Sequence, residues 1–337
     1  MDNIQELILY GLEQKLSSEK NWREKLAEVL CLSKSTIYKR LNGITPFTSE
    51  EIAILIREYG LSFDAAALGK ANNRVVFKVP PTHQKINSFN EYLQGVGNTF
   101  RPIQHYKNVQ VYMMTRDLPL FWYFRDVDVS LFKLYAYGRF MWELDSCLNY
   151  PFSIDYMRTI PDIQDKINAI WDKYAELDTI EYWQTSGLDV TFQQIQFFWE
   201  SGVMPAEEAY RVLDGLSRIV TSAYNACIRG KKSLTDKTTG GALEMYHNRI
   251  MNVENIILAT TDEQNSLHII LDPSRFIVTF DAMMTATAKN TIDQAKKNAY
   301  AMGEGSGNIR EEFFMAMEKK IEQMKKKIEH LEQTEQY

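Results

Sequence analysis

Cysteine is scarce in this chain. Cys31, Cys147 and Cys227 stand far apart, form no CxxC pair and have no histidine cluster beside them. That spacing excludes a disulfide-stapled scaffold and a cysteine-based metal site; it predicts plain, buried or partly buried thiols in a reducing compartment. Long apolar runs are missing as well. None approaches the roughly 20 residues that span a bilayer, and the first residues lack the charged, apolar and small-residue phases of a secretion signal, so a cytoplasmic protein without a membrane partner is expected. Catalytic spacings are absent too: there is no GxSxG, HExxH or HxE…CxxC, and no kinase set. His83, His105, His247, His268 and His330 are scattered, and each reads as a structural or surface histidine. No cofactor is implied. The last absence is local: in a chain of net charge −6, no acidic residue stands between Leu30 and Thr48.

That acid-free stretch overlaps residues 22–43, WREKLAEVLCLSKSTIYKRLNG, which read as two short helices joined by a tight turn. Leu26, Ala27, Val29 and Leu30 fall at helical spacing in the first, and Ile37 and Leu41 lie one turn apart in the second. Ala27 is small enough to let the helices cross closely at the steep angle of a helix-turn-helix. Ser33 stands where an N-cap belongs. The face left over is Lys34, Ser35, Thr36, Tyr38, Lys39 and Arg40, hydroxyls and cations suited to DNA. Residues 1–79 hold seven Lys and four Arg against ten acidic residues, a balance of +1, which leaves −7 for the remainder. A basic helix on a near-neutral domain fits sequence-selective duplex binding better than charge-driven coating of nucleic acid. The competing reading of the segment is a small bundle with a merely solvated basic face. Flanking helices agree with the first reading: Ile4, Leu7, Ile8, Tyr10 and Leu12 suggest one before it, and residues 49–59 one after it, entered through Glu50 and Glu51 and ended by Gly60. Five helices are expected within the first seventy residues.

At these residues a family resemblance becomes specific. LAEVLCLSKSTIYKRLNG, followed by FTSEEIAILIREYGLSFDAAA, resembles the Cro/repressor (Xre-like) DNA-binding domains of bacterial transcription regulators, over about the first quarter of the chain. The resemblance implies that the helix containing SKSTIYKR is the recognition helix in the major groove. It carries DNA contact onto Arg23, Ser33, Lys34, Ser35, Thr36, Tyr38 and Lys39. Cys31 departs from the pattern, because the turn position before Leu32 is usually Gly; either a different turn or about 1 kcal/mol of strain is implied.

The length and a hydrophobic fraction of 45% support more than one buried core. Pro80 and Pro81 mark a boundary, giving a helix-turn-helix domain at 1–71, a linker at 72–86 and a regulatory or dimerisation region at 87–337. The latter reads as α+β with a short antiparallel sheet. NVQVYMMT is a strand, helices are expected over 131–144, 163–177, 191–200 and 206–228, and ENIILATTDEQNSLHIILDPSRFIVTFD has the form of an antiparallel meander. The aromatic run from Phe121 to Trp142 fits a core or interface, with a ligand cavity as the alternative. DLPLFWYF…FKLYAYGRFMWEL and TFQQIQFFWESG loosely resemble the long C-terminal regions of poorly characterised regulators of the same type, and that likeness carries no ligand with it.

GEGSGNIREEF matches no phosphate-loop spacing and reads as a turn in which Asn308 caps a final amphipathic helix and Glu311 completes the box. In that helix Phe314, Met317, Ile321, Met324, Ile328 and Leu331 recur at intervals of three and four, a heptad seam. The seam either pairs between two chains or packs on its own domain; the first use makes these residues dimerisation candidates. A homodimer is expected, because two recognition helices about one DNA turn apart read a palindrome. The partners expected are therefore double-stranded DNA, a second copy and an unidentified effector. The alternatives are a protein-interaction adaptor and an enzyme whose C-terminal site is assembled only by the fold.

Overall fold

The computed structural model describes residues 4–16, 21–59, 75–79, 85–99, 101, 103, 105–249 and 255–335, and the chain divides into two units, Met1–Val76 and Phe77–Tyr337. Gly60, the fifth N-terminal helix and most of the 72–86 segment, Pro80 and Pro81 included, lie outside the described residues.

The first unit has four described helices: α1 (Ile4–Leu16), α2 (Trp22–Val29), α3 (Lys34–Leu41) and α4 (Ser49–Tyr59). Each contributes one apolar stripe to a single core of Ile8, Leu12, Leu26, Ile37, Phe47 and Leu55. Helix α4 starts at a capping box. Thr48 Oγ1 accepts from Glu51 N at 3.2 Å and Glu51 Oε2 accepts from Thr48 N at 2.9 Å, so two helix-end donors are satisfied reciprocally.

The second unit carries α5 (Phe89–Gly97), α6 (Leu120–Tyr123), α7 (Val127–Phe140), α8 (Asp145–Leu148), α9 (Ile154–Arg158), α10 (Ile163–Ala175), α11 (Asp189–Glu200), α12 (Ala206–Arg229), α13 (Ala282–Asn298) and α14 (Gly307–Glu335). Its strands are β1 (Gln110–Met114), β2 (Asp178–Trp183), β3 (Lys231–Ser233), β4 (Thr239–His247), β5 (Ile256–Thr260), β6 (Ser266–Asp272), β7 (Arg275–Thr279) and β8 (Tyr300–Ala301). They form one eight-stranded sheet in the order β3-β4-β2-β1-β5-β6-β7, with β8 on β4. This corrects the short antiparallel sheet expected from the sequence. The β5-β6-β7 meander is antiparallel, but β2 runs parallel to both β1 and β4, so the sheet is mixed. Of the strands that a pattern reading missed, β2 and β4 are the long ones. β2 is buried from Thr179 to Trp183 with Glu181 at its centre, which erases the polar-apolar alternation of a half-exposed strand. β4 opens on Gly240 and Gly241, whose Cβ atoms would each lie 2.3 Å from a carbonyl oxygen, that of Ala175 and of Leu177 respectively.

Helices cover both faces of the sheet. On one, Met114, Ile180, Tyr182, Leu258 and Leu267 meet Ala288, Ile292 and Ala295 of α13. On the other, Val111, Met113, Trp183, Leu243 and Met245 join a large aromatic core with α7, α10, α12 and α14. The Phe121–Trp142 aromatics are buried there, except that Phe140 is half exposed. Glu181 is held by four donors: the indoles of Trp122 and Trp183 reach Oε2 at 2.7 and 2.8 Å, and the hydroxyls of Thr179, at 2.9 Å, and Tyr174 reach Oε1. Such a set offsets the desolvation of a buried carboxylate.

The seam of α14 is buried inside its own unit. Phe314, Met317, Ile321, Met324 and Ile328 pack into the core beside α12, and Leu331 is partly covered. Of the two uses that the sequence left open for the seam, packing on its own domain is the one seen, and a side chain enclosed by its own chain offers little to a second copy. The physical reason is α12, whose Ser217, Val220 and Tyr224 side faces α14: the Tyr224 ring meets that of Phe314 edge-on at 5.5 Å, and Ser217 Oγ donates to Glu318 Oε2 at 2.6 Å. The helix begins at Gly307, so Asn308 lies in its first turn and is not the cap. Cys147 and Cys227 are buried, whereas Cys31 is exposed, contrary to expectation. Among the described residues no helix is long and apolar enough to cross a membrane, and no group of His, Cys, Asp or Glu is placed to hold a metal ion.

Candidate nucleic-acid interface

The turn between α2 and α3 is closed by two backbone hydrogen bonds, Leu32 N to Ala27 O at 2.9 Å and Cys31 N to Glu28 O at 3.1 Å. This is the Schellman arrangement, which puts Cys31 at the position that glycine favours. Cys31 adopts φ 53° there. The departure from glycine therefore leaves the turn intact and loads the left-handed strain onto Cys31. Two residues later, Ser33 accepts from Thr36 N at 3.2 Å and caps α3 as its sequence position predicts. Its hydroxyl also lies 3.0 Å from that of Ser35 and 2.9 Å from that of Thr36. Leu26, Ala27 and Ile37 are buried between the helices, and the small Ala27 permits their close crossing.

Helix α3 presents Lys34, Ser35, Tyr38, Lys39 and Asn42 along one exposed face, at the i, i+1, i+4, i+5 spacing of a helix. Tyr38 is 61% exposed, an unusual setting for an aromatic ring on a small domain. Thr36 is half buried. Arg23 is exposed near the start of α2, its guanidinium 5.4 Å from the Trp22 ring centre. A groove of about 280 Å³ brings Arg23, Lys34, Tyr38 and Asn42 together with Glu24 and Leu41. Lys34 lies 3.4 Å from Glu24, an exposed pair whose exchange for a phosphate costs little.

Arg40 is not part of this face, a correction to its place among the exposed cations. Its Nη2 donates to Glu51 Oε1 at 3.0 Å, its Nε lies 3.0 Å from Oε2, and both side chains are largely buried. Arg40 thus ties the end of α3 to the capping box of α4. Sequence reasoning also missed Gln5, which is 7% exposed. Its amide donates to Arg40 O at 2.9 Å and its Oε1 accepts from Phe47 N at 2.7 Å, so α1 is stitched to the loop that follows α3. A glutamine in the first turn of a helix carries no signal of a partner 35 residues or more away.

The geometry offers a helix about 12 Å long with donors and a stacking ring on one side, and the diameter of an α-helix with its side chains, about 10–12 Å, fits a major groove about 12 Å wide. No curated protein and no solved structure matches the chain. Residues 14–65 match the model of the helix-turn-helix family, and this part of the chain is a Cro/repressor-type, Xre-like helix-turn-helix of the kind carried by DNA-binding regulators.

Proposed function

We propose that the protein is a transcription regulator that reads a specific duplex sequence with α3 in the major groove. The observation that carries this reading is the exposed, acid-free face of α3, where Lys34, Ser35, Tyr38 and Lys39 stand free of the core while Ile37 and Leu41 anchor the helix beneath them. Lysine donates to guanine acceptors or to phosphates, and hydroxyls serve either partner. Ser33 contributes indirectly, by fixing the start of the helix, and Arg23 approaches the backbone from α2. A homodimer multiplies the weak affinity of one half-site, and the second unit supplies the pairing surface and a response to an effector. The buried seam of α14 takes no part in that pairing.

Selection from random duplex DNA with the full-length protein tests the proposal, with the winning site measured at two salt concentrations against a scrambled duplex. The expected result is a palindromic site bound selectively, with an affinity that falls by about 0.9 log units per log unit of salt for every phosphate contacted. Failure to enrich any duplex, together with salt-insensitive capture of other proteins, would replace the reading with that of a protein-interaction adaptor.

A further inference from the structure

The helical layer on the aromatic face of the sheet is incomplete beyond β1. A row runs outward in register from Met113 on β1 through Ile257 on β5 to His268 on β6, and over it a cavity of about 350 Å³ remains under α5. Ile257 and His268 keep accessible surface beneath it although their strands are paired on both edges. The volume falls within the roughly 300–1,000 Å³ of small-molecule sites. The cavity is also held open: Tyr92 of α5 donates its hydroxyl to Pro273 O at 3.0 Å, pinning the roof to the β6-β7 turn.

Its lining is mostly apolar, and its charges are of one kind. Among the described residues no Lys or Arg lines it, and the carboxylates there, Glu91 and Asp272, each accept hydrogen bonds. Asp272 Oδ1 accepts from the Ser274 amide and hydroxyl at 2.8 and 2.7 Å and its other oxygen pairs with Arg275, while Glu91 Oε2 accepts from Asn87 N at 2.9 Å. An anion entering here meets two carboxylates; a cation finds Asp272 already neutralised by Arg275 and Glu91 exposed to solvent, where its charge is screened. His268 is a polar side chain of the floor, with Nε2 3.2 Å from Ser266 Oγ. Burial holds its imidazole down to about 4, so at neutral pH it is uncharged and donates or accepts according to its tautomer.

We propose that this cavity binds a small, uncharged, largely apolar molecule, one polar group of which hydrogen-bonds His268. The proposal gives a chemical class to the effector of the proposed function, and its test needs no DNA, so failure here leaves the DNA reading standing.

The test uses the full-length chain with isotope-labelled methionine methyls, Met113 being assigned through Met113→Leu, and two probes of one shape, 4-ethylphenol and 4-ethylbenzoate. A saturable shift of the Met113 methyl with a Kd of about 1 mM for the phenol is expected, with binding of the benzoate weaker by about tenfold or more. Ile257→Trp, which fills the cavity, should abolish the phenol's binding. No shift of Met113 up to about 10 mM phenol, far above the affinity expected of such a site, overturns the proposal, as does equal binding of the benzoate or an unchanged Kd in folded Ile257→Trp. Should that variant fail to fold, the Met113 shift and the phenol-to-benzoate ratio in the unaltered chain decide the matter.

Discussion

Cys31 bears a conformation that its side chain disfavours, at φ 53° in the turn between α2 and α3. Replacing it with glycine removes the steric conflict of Cβ with the following carbonyl, so Cys31→Gly should stabilise the protein by about 1 kcal/mol in denaturant titration, net of the extra freedom of the unfolded glycine. Two neighbouring cations divide just as clearly. Lys39 stands in solvent, while Arg40 is clasped by Glu51. Lys39→Ala should lower DNA affinity and reduce the salt slope by about one phosphate contact with stability unchanged. Arg40→Ala should instead cost about 1–3 kcal/mol of stability, because a largely buried carboxylate is left short of its partner. Thermal melts beside binding curves for the two variants separate a DNA contact from a fold contact, and a stable Arg40→Ala that has lost DNA affinity alone would return Arg40 to the interface.

Among the elements, α14 and α12 show that helical periodicity specifies a stripe and not the surface it meets. Ile321 is fully buried in the core of its own unit. Ile321→Ala should therefore lower stability by about 2–5 kcal/mol, and sedimentation of the still-folded variant should show its association unchanged. An unaltered unfolding midpoint with weakened association would give the seam back to a partner chain. The start of β4 makes a second demand of this sort. At Gly241 a Cβ would lie 2.3 Å from Leu177 O and 2.5 Å from Glu176 O, both backbone atoms. Gly241→Ala must push β4 away from the end of α10 and should cost about 1–3 kcal/mol, read from the shift in denaturant midpoint.

For the whole molecule, pH reports on the floor of the cavity. The imidazole of His268 is held down to about 4 by burial, against an ordinary value near 6.5. Between those values the unfolded chain binds a proton that the folded chain refuses, so stability rises with pH through this window and is lost as pH falls from about 6.5 towards about 4. The slope attributable to this one group is at most about 1.4 kcal/mol per pH unit. His268→Phe should flatten that part of the stability profile in denaturant titrations at several pH values; a profile identical to that of the unaltered chain would show that His268 is not desolvated as described. The two units differ in how far local pattern specifies them. In the described part of the first, four helices follow one another within residues 4–59; the second threads parallel neighbours β1 and β2 through a connection of more than sixty residues.

The sequence alone determined the helix-turn-helix. Its stripes, its Ser33 cap and its acid-free exposed face all lie within about twenty consecutive residues, where side-chain chemistry acts on its own backbone. It also determined the β5-β6-β7 meander and most of the long helices, whose periods are local too. What it left open was settled by groups far apart in the chain. Arg40 reads as a free cation until Glu51, eleven residues on, is folded against it, and Glu181 carries no local sign of the Trp122, Tyr174 and Trp183 side chains that converge on its carboxylate. The parallel pairings of β2, the choice of α12 as the mate of α14 and the cavity under α5 are likewise consequences of packing. A period of two or 3.6 tells a residue which face it occupies, and only the tertiary structure decides what that face meets.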